Sequence, residues 1–451
     1  MTPAELTLAS EFPAATREQW QALAAAVPQS RTYDGIVLAP LYTAADAAPA
    51  PGLPGRYPFV RGGRAPGAAT GWDIRQRHTV ADPAAVLDDL EHGVTSLWLV
   101  GLPAGALPEV LREVHLDLAP VTLDAGADFA ESADALLDVH RAKAIAAGEV
   151  RGNLGADPLG WLARTGAAAD LRAASRLALR TAGEFPALRT IVVDALPYHE
   201  AGGSDAQELG CAVATGVAYL RALTEAGLDV DAAAGQLEFR FAATVDQFLT
   251  IAKFRAARRL WARVVEVSGG SAGAQRQHAV TSPAMMTRRD PWVNMLRTTV
   301  ACFAAGVGGA DAVTVLPFDS AIGQPDAFGR RIARNTQSIL LEESTVAGVT
   351  DPAGESWYVE RLTDELARAA WSWFTELERA GGIRAGLESG LVADRLAQTW
   401  QARRANLAAG TDKITGVTEF PNPDEEPLYR DPAAELPSGG LPRVRYAEEF
   451  E

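Results

Sequence analysis

Cysteine is nearly missing from this sequence. Only two cysteines occur among 451 residues, Cys211 and Cys302, and both lie in apolar stretches with helical spacing. Two isolated cysteines cannot build a disulfide framework or a cysteine-rich zinc site, and such usage is typical of a reducing compartment. We therefore predict a cytoplasmic protein without a disulfide framework and without a metal site.

The sequence also lacks an excess of positive charge and lacks long hydrophobic runs. It has 41 Lys and Arg against 57 Asp and Glu, and the net charge of −16 argues against general affinity for nucleic acid or anionic membranes. No uninterrupted apolar run approaches ~18 residues, so we expect no membrane span. Glu5 and Glu11 stand where a secretory signal would carry basic residues, so we expect no such signal.

What the sequence does have, from about residue 72 onward, is an alternation of strand-like and helix-like patterns. The patterns predict eight strands: Thr95–Val100, Ala119–Asp124, Arg151–Gly155, Thr190–Leu196, Leu237–Ala243, Val264–Ser268, Asp311–Pro317 and Thr345–Val349. Several are almost continuously apolar, as strands are when helices cover both faces of a sheet. Eight such strands favour an α/β fold, the (β/α)8 TIM barrel; an open sheet of seven strands stays possible if the last one is absent.

Residues 236–267 give the clearest strand–helix–strand pattern. Polar and apolar side chains alternate up to Phe241, Thr244 and Gln247 match a capping box, and an apolar stripe at helical spacing follows. A β-branched run from Val264 then predicts a second strand. Such a unit is a βαβ crossover, whose two strands are parallel.

Three parts are predicted along the chain. Residues 1–70 form an N-terminal helix, capped by Thr16 and Gln19, and an extended arm rich in Pro and Gly that is suited to subunit contacts. Residues 71–408 form the barrel with its helices. Residues 409–451 are Pro-rich and acidic, which predicts a linker or tail and not another domain.

In a barrel, functional side chains lie just after the carboxyl ends of the strands. On the predicted strands this rule selects seven residues: Asp124, Asp157, Tyr198, His199, Glu200, Ser271 and Asp319. His199, with Tyr198 and Glu200 beside it, could support acid–base chemistry, although a hydrogen-bonded loop without a ligand explains it equally well. Arg276 and His278 could bind an anion or belong to an exposed loop.

Other basic and histidine-containing segments give weaker signals. Three arginines of the arm could contact phosphate, although solvated loop charges explain them more simply: Arg56, Arg61 and Arg64. Asp138 and His140 match the start of the D-x-H-x-x-G pattern of cobalamin-binding loops. Lys143 replaces the Gly, however, and the segment reads as an amphipathic helix, so we expect a chance match.

Eight segments, taken in order from about Phe12 to about Pro423, carry a family resemblance: FPAATREQW, YDGIVLAPLYTAAD, RYPFVRG, WDIRQ, YHEAGG, IAKFRAARRLWA, RIARNTQSILLEES and DPAGESWYVERLTDELARAAW. They resemble the methylmalonyl-CoA mutase family, and specifically its small, β-type subunits. The resemblance implies a barrel along whose axis CoA threads. In catalytic members a flavodoxin-like domain holds adenosylcobalamin against the strand ends, and the cofactor's radical chemistry interconverts methylmalonyl-CoA and succinyl-CoA.

The resemblance also implies that this chain is the partner of a large catalytic subunit. It would then form a heterodimer, stabilise that subunit, bind no cofactor by itself and be inactive alone, with adenosylcobalamin in the large subunit. Small subunits usually continue into a second domain similar to the cobalamin-binding domain. No such domain is expected in this sequence, which is either a fragment or a short natural chain.

At several site positions this sequence has a different residue type from the catalytic members that it resembles. Arg77 stands where they have a Tyr, Gln236 where they have an Arg that holds the substrate carboxylate, and Val280 where they have a Gln. A neutral amide forfeits a charge-assisted contact of roughly 1.5–3 kcal/mol. We therefore expect no catalytic residue, and the resemblance assigns a vestigial substrate site, which could still take an acyl-CoA, to six residues: Arg61, Arg75, Tyr198, His199, Arg276 and His278.

Two alternatives stay open. The barrel could be a competent acyl-CoA mutase that works with a cobalamin domain on another chain, or an unrelated barrel enzyme with His199 and Glu200 as an acid–base pair. An open funnel along the axis would favour CoA ancestry. An axis filled by side chains would favour an ordinary barrel enzyme.

Overall fold

Eight parallel strands close into a barrel in the computed structural model, which describes residues 12–13, 15–27, 29–64, 71–168, 170–271 and 273–451. Two short strands of the arm, β1 (Ser30–Arg31) and β2 (Val37–Leu38), pair with each other. The barrel strands are β3 (Asp73–His78), β4 (Ser96–Val100), β5 (Val121–Asp124), β6 (Gly152–Ala156), β7 (Leu188–Asp194), β8 (Leu237–Ala243), β9 (Arg276–Thr281) and β10 (Ala312–Thr314). Strand β10 closes the ring on β3. The predicted TIM barrel is confirmed, and the open seven-stranded sheet is wrong.

Six of the eight predicted strands belong to the barrel, and the other two predictions are wrong. Val264–Ser268 continues a helix, and Thr345, with a φ of 47°, precedes the single turn Val346–Gly348. The barrel uses β3 and β9 instead, with the sequences DIRQRH and RQHAVT. Their inward side chains, apart from that of Val280, are charged or polar, so neither segment shows the apolar run of a typical buried strand.

Helices surround the barrel and follow it. They are α1 (Arg17–Ala24), α2 (Pro83–Glu91), α3 (Leu107–Val110), α4 (Phe129–Ala142), α5 (Pro158–Thr165), α6 (Leu171–Ala182), α7 (Leu196–Glu200), α8 (Asp205–Glu225), α9 (Val230–Gly235), α10 (Gln247–Val267), α11 (Val293–Val307), α12 (Ala327–Ser338), α13 (Trp357–Arg379), α14 (Gly382–Glu388) and α15 (Leu391–Ala408). The predicted capping box of α1 is confirmed, because Thr16 and Gln19 bond each other's backbone nitrogens.

The start of α10 differs from the prediction. Asp246 caps this helix, since its Oδ1 accepts a hydrogen bond from the Leu249 nitrogen at 3.1 Å. The nitrogen of Thr244 donates to Thr250 Oγ1 at 3.1 Å instead. The βαβ crossover is therefore present, but it runs from β8 through α10 to β9.

Three cations of α10 are buried and join it to different parts of the molecule. Lys253 Nζ lies 2.7 Å from Glu208 Oε2 of α8, and Arg255 Nη2 lies 2.5 Å from an oxygen of Glu360 in α13. Arg258 donates hydrogen bonds to carbonyl oxygens of the arm. Because a buried charge is tolerated only when it is paired or hydrogen-bonded, α10 fixes the positions of all three neighbours.

The segment after α15 crosses the carboxyl end of the barrel. Arg430 Nε lies 2.5 Å from Asp319 Oδ2, and Arg443 Nε lies 3.1 Å from Glu200 Oε2. The Val444 nitrogen also donates to the Glu200 carbonyl at 2.8 Å. We call residues 430–446 the cover segment, because they extend over the strand ends.

The cysteines and the helices add two simple observations. Cys211 in α8 and Cys302 in α11 are buried free thiols. Burial raises the pKa of Cys211 to about 12, so that thiol is protonated at neutral pH.

Over the part of the chain that the structure describes, no helix combines the length and the apolar character needed to cross a membrane.

Candidate functional site

A cavity of about 870 Å³ opens at the carboxyl ends of the strands, where barrel enzymes hold their substrates. We call it the mouth cavity. Arg77, Trp98 and Asp124 reach it from the strands, Arg164 reaches it from α5, and residues 433–437 of the cover segment form part of its wall. It is the first place to look for chemistry.

Two arginines and two aspartates form an ionic cluster at this end of the barrel. Arg240 Nη1 lies 3.0 Å from Asp124 Oδ2 and 3.1 Å from Asp194 Oδ2, and Arg164 contacts the same two carboxylates. Burial alone would raise the pKa of Asp124, but the charges of Arg164 and Arg240 lower it by more than burial raises it. The pKa of Asp124 is therefore below its ordinary value. The four charges therefore compensate one another.

Trp98 closes the barrel axis below the mouth cavity. The Arg240 guanidinium stacks on its ring, with Cζ 4.2 Å from the ring centroid, and the His278 ring meets it edge-on at 5.2 Å. The indole also packs against buried apolar side chains that point inward: Leu196, Ala242, Val280 and Leu316. Val280 thus helps to seal the axis.

The next layer inside the barrel is an ion pair. Arg75 Nη1 lies 2.7 Å from Glu238 Oε1, and Arg75 Nε donates to Ser96 Oγ at 3.3 Å. Arg75 is 2% exposed and Glu238 is 3% exposed. Burial would raise the pKa of Glu238, but Arg75 and Arg276 lower it more, so the carboxyl is ionised at neutral pH. Arg75 is thus held by protein groups.

His278 lies in the same part of the axis and not in a loop after a strand. Arg240 Nε donates to His278 Nδ1 at 3.3 Å, so the ring proton lies on Nε2, which donates to Thr314 Oγ1 at 2.8 Å. Burial, and then the charge of Arg75, hold the pKa of His278 well below its usual range. The prediction that Arg276 and His278 follow a strand is wrong, since both belong to β9.

The amino end of the barrel holds three of the predicted positions. Arg276 lies 3.3 Å from Asp73 Oδ2 and 3.7 Å from Asp311 Oδ1. Gln236 Oε1 accepts a hydrogen bond from Thr190 Oγ1 at 2.8 Å. Arg61 pairs with Asp351 Oδ2 at 2.9 Å and with a Glu355 oxygen at 3.3 Å. These side chains lie far below the mouth cavity and are held by protein partners.

Ser271 is also at the amino end. It was selected as a strand-end residue because Val264–Ser268 was predicted to be a strand. That segment is helical, and Ser271 lies in the loop between α10 and β9, where its nitrogen and Oγ donate to Asp231 at 2.7 and 2.8 Å. Its selection as a mouth residue is therefore wrong.

The side chains of His199 and Glu200 lie in different surroundings. His199 Nε2 lies 2.7 Å from Ser282 Oγ, and burial, followed by the charge of Lys253, lowers the pKa of His199 to about 3. Glu200 lines the mouth cavity and pairs with Arg443 of the cover segment. A neutral, buried imidazole on one side and a paired carboxylate on the other do not form a shared acid–base pair.

Tyr198 lies outside the barrel interior. Its hydroxyl is 3.2 Å from Thr215 Oγ1 of α8, and the side chain is fully buried between β7 and that helix. Burial raises the pKa of Tyr198 well above its ordinary value. Tyr198 therefore packs the helix layer and does not face the cavity.

Comparison with known proteins decides the family. The family model described as Methylmalonyl-CoA mutase matches residues 105–435. A methylmalonyl-CoA mutase small subunit from Streptomyces virginiae is 60% identical over an alignment 476 positions long, which covers 99% of this chain and 77% of that protein. The chain belongs to the methylmalonyl-CoA mutase family.

Within the family, the similarity lies on the small-subunit side. The small subunit from Porphyromonas gingivalis W83 is 34% identical over 92% of this chain and 71% of that protein. The large subunit of the same organism is 37% identical, but only over 55% of this chain and 35% of that protein. The resemblance to small subunits is confirmed, and an unrelated barrel enzyme is the wrong alternative. A filled axis is therefore no guide to ancestry.

Adenosylcobalamin is the cofactor that the mutase family implies, and the residues at the strand ends do not fit it. A corrin ring needs an open face there, whereas the cover segment is fixed by Arg430 to Asp319 and by Arg443 to Glu200. His140, from the partial D-x-H pattern, is 2% exposed within α4, and its Nδ1 lies 2.9 Å from the Leu136 carbonyl.

Sequence reasoning missed the residues that fill the mutase barrel. Trp98, Glu238 and Arg240 decide whether the axis is open, yet none follows a strand end. A signal was present in β8, where LEFRFAA alternates so that Glu238 and Arg240 share one face and four apolar residues share the other. In a strand covered by helices, polar residues on one face must point into the barrel and find partners there.

Proposed function

We propose that this chain is a non-catalytic subunit that pairs with a large catalytic mutase subunit and stabilises it. Adenosylcobalamin and the acyl-CoA rearrangement then belong to the large subunit. One observation carries the proposal: Trp98 and the Arg75–Glu238 pair fill the barrel axis with side chains that are almost inaccessible to solvent. An acyl-CoA threading along that axis would have to displace both.

The cost of opening the axis supports this proposal. Separating a buried ion pair leaves each charge without its partner, and breaking such a pair costs about 3–5 kcal/mol. Trp98 adds a packed aromatic ring held by Arg240 and by an inward apolar layer. A ligand would have to repay both losses before it gained any affinity, so we expect the axis to stay closed.

An exposed apolar patch is suited to the large subunit. Trp292 is 49% exposed, Leu296 is 68% exposed and Phe328 is 45% exposed, and Phe318 links them by stacking on Trp292 at 4.8 Å and meeting Phe328 at 6.0 Å. Contiguous exposed apolar side chains mark interaction sites. Because relatives carry the names small and large subunit within one organism, we assign the patch to the large subunit.

Turnover assays test the proposal directly. This chain alone, a large subunit alone and their mixture are each supplied with adenosylcobalamin and methylmalonyl-CoA, and succinyl-CoA is measured. We expect no product from this chain alone, and a more stable large subunit in the mixture. Glu200→Gln in this chain is the matched variant, and turnover of the mixture should not change. Product formed by this chain alone would overturn the proposal.

The competent-mutase alternative makes a different prediction. It requires that this chain present cobalamin with a productive face when a stand-alone cobalamin domain is supplied. We expect the cobalamin absorption spectrum of that domain to be the same with and without this chain. A spectral change that saturates with added chain, together with turnover, would establish the alternative.

A further inference from the structure

Arg77 is an arginine of the mouth cavity that forms no ion pair with a described residue. It lies at the cavity end of β3, with its Cζ 5.4 Å from the centroid of the Trp98 ring. Its Nε is buried without a hydrogen-bond partner, and no carboxylate oxygen of a described residue lies within 4.0 Å of its guanidinium nitrogens. A guanidinium has five N–H donors, so Arg77 lacks the partners that a buried guanidinium usually has.

Three carboxylates near Arg77 already form ion pairs with other arginines. Asp124 and Asp194 are compensated by Arg164 and Arg240. Glu200 is compensated by Arg443 of the cover segment. These carboxylates are therefore paired with other arginines, and none of them forms an ion pair with Arg77.

The pKa of Arg77 agrees with the absence of an ion-pair partner. Burial lowers the pKa of its guanidinium, while the more distant carboxylates Asp124 and Glu200 act in the opposite direction without cancelling the effect. A cation in this position is stabilised by an anion that contacts it. The size of the cavity, about 870 Å³, lies in the range of small-molecule sites.

The rest of the cavity wall indicates what kind of molecule would carry the anionic group. Two indole rings, those of Trp98 and Trp161, line it, and apolar side chains of the strand ends and the cover segment complete the wall: Val100, Leu102, Leu196, Leu316, Leu436 and Pro437. Gly126 leaves room for the Trp161 ring, since a Cβ at that position would lie 2.4 Å from its Cζ3. A ligand here would contact apolar surface on most sides.

We propose that the mouth cavity binds an apolar monocarboxylate, with its carboxylate on the Arg77 guanidinium and its apolar body between the two indoles. The guanidinium can bind a carboxylate through two parallel N–H···O bonds, which is the strongest contact of this type in proteins. One carboxylate on the ligand would supply the ion-pair partner that Arg77 lacks. The proposal is independent of the assignment as a non-catalytic subunit, because binding needs no turnover.

Calorimetric titration of the 451-residue chain with 2-naphthoate tests the proposal. The neutral isostere 2-naphthamide keeps the apolar body and removes the charge, and inorganic phosphate keeps an anion and removes the apolar body. We expect saturable binding of 2-naphthoate, with 2-naphthamide and phosphate each at least about tenfold weaker, which corresponds to about 1.4 kcal/mol. Equal affinity for 2-naphthoate and either control ligand would overturn the proposal.

Variants of one position connect the binding to Arg77. Arg77→Gln should weaken 2-naphthoate at least about tenfold and leave 2-naphthamide unchanged, whereas Arg77→Lys should keep part of the difference between the two ligands. Arg112→Gln is the matched control, since Arg112 is paired with Glu109 on the surface. Thermal unfolding of each variant confirms that it is folded. Undiminished 2-naphthoate binding by folded Arg77→Gln, or no binding by the unaltered chain, would rule the site out.

Discussion

The Arg75–Glu238 pair gives the sharpest test of a closed barrel axis. Glu238→Gln keeps the shape of the side chain and removes its charge, so the Arg75 guanidinium stays buried with only the Ser96 hydroxyl and an amide oxygen beside it. The lost charge-assisted hydrogen bond is worth about 1.5–3 kcal/mol, and breaking a buried ion pair by removing one partner costs about 3–5 kcal/mol in total. We expect the free energy of unfolding to fall by about 3 kcal/mol or more.

Urea denaturation at pH 7, followed by tryptophan fluorescence and by circular dichroism, measures this loss. The double variant Arg75→Met with Glu238→Leu replaces both charges by apolar side chains, and it should recover most of the loss or exceed the stability of the unaltered chain. Glu109→Gln is the matched control, because its pair with Arg112 lies on the surface and is worth at most about 1 kcal/mol.

One result would refute the reasoning about the axis. If Glu238→Gln and Glu109→Gln cost the same, below about 1 kcal/mol, then water reaches Glu238 in the folded protein and solvates the unpaired Arg75. An axis open to water would also be open to the pantetheine chain of CoA. The main argument for a non-catalytic subunit would then be lost.

Three further predictions concern other parts of the molecule. Burial and the neighbouring Asp194 raise the pKa of Asp157 from 3.8 to about 7, so the folded state holds an extra proton between these values; stability contributed by this group is complete below pH 4 and is lost as pH rises through 7, and Asp157→Asn should flatten that part of a Tm-against-pH profile. Arg77→Met removes an unpaired cation and should raise the free energy of unfolding by about 1 kcal/mol in urea, where a loss would show a missed partner. Leu296→Arg should weaken the complex with the large subunit in size-exclusion chromatography, whereas Leu118→Arg, at an exposed leucine before β5, should not; equal behaviour would place the interface elsewhere.

The architecture was predictable where one face of a strand or helix is apolar and meets a core. Strand β8 and the helix α2 show such patterns plainly, and the alternation along the chain predicts a barrel. Strands β3 and β9 could not be recognised in this way, because Arg75, Arg276 and His278 find their partners only after the ring has closed. Their polarity belongs to the barrel interior and resembles that of a loop until the other strands are known.

The candidate site was predictable only in part. The rule of strand ends selects Asp124 and Glu200, and both line the mouth cavity. It cannot select Arg443, whose partner Glu200 lies 243 residues earlier, because no local pattern links the two. It also passes over Trp98, since a tryptophan inside a strand usually packs toward helices, and only the inward register shows that it seals the axis.

The hydrogen bonds of Arg258 have a consequence for how the arm and the barrel open. Its guanidinium donates to the carbonyls of Phe59 and Val60 in the arm, to Gly308 after α11 and to Gln277 of β9. These acceptors come from segments about 250 residues apart, and each one missing would leave a donor dehydrated. We therefore expect the arm to unfold together with the barrel and not as a separate appendage. A protease should cut near residue 60 only in molecules whose barrel has already opened, so cleavage there would report global unfolding rather than local fraying.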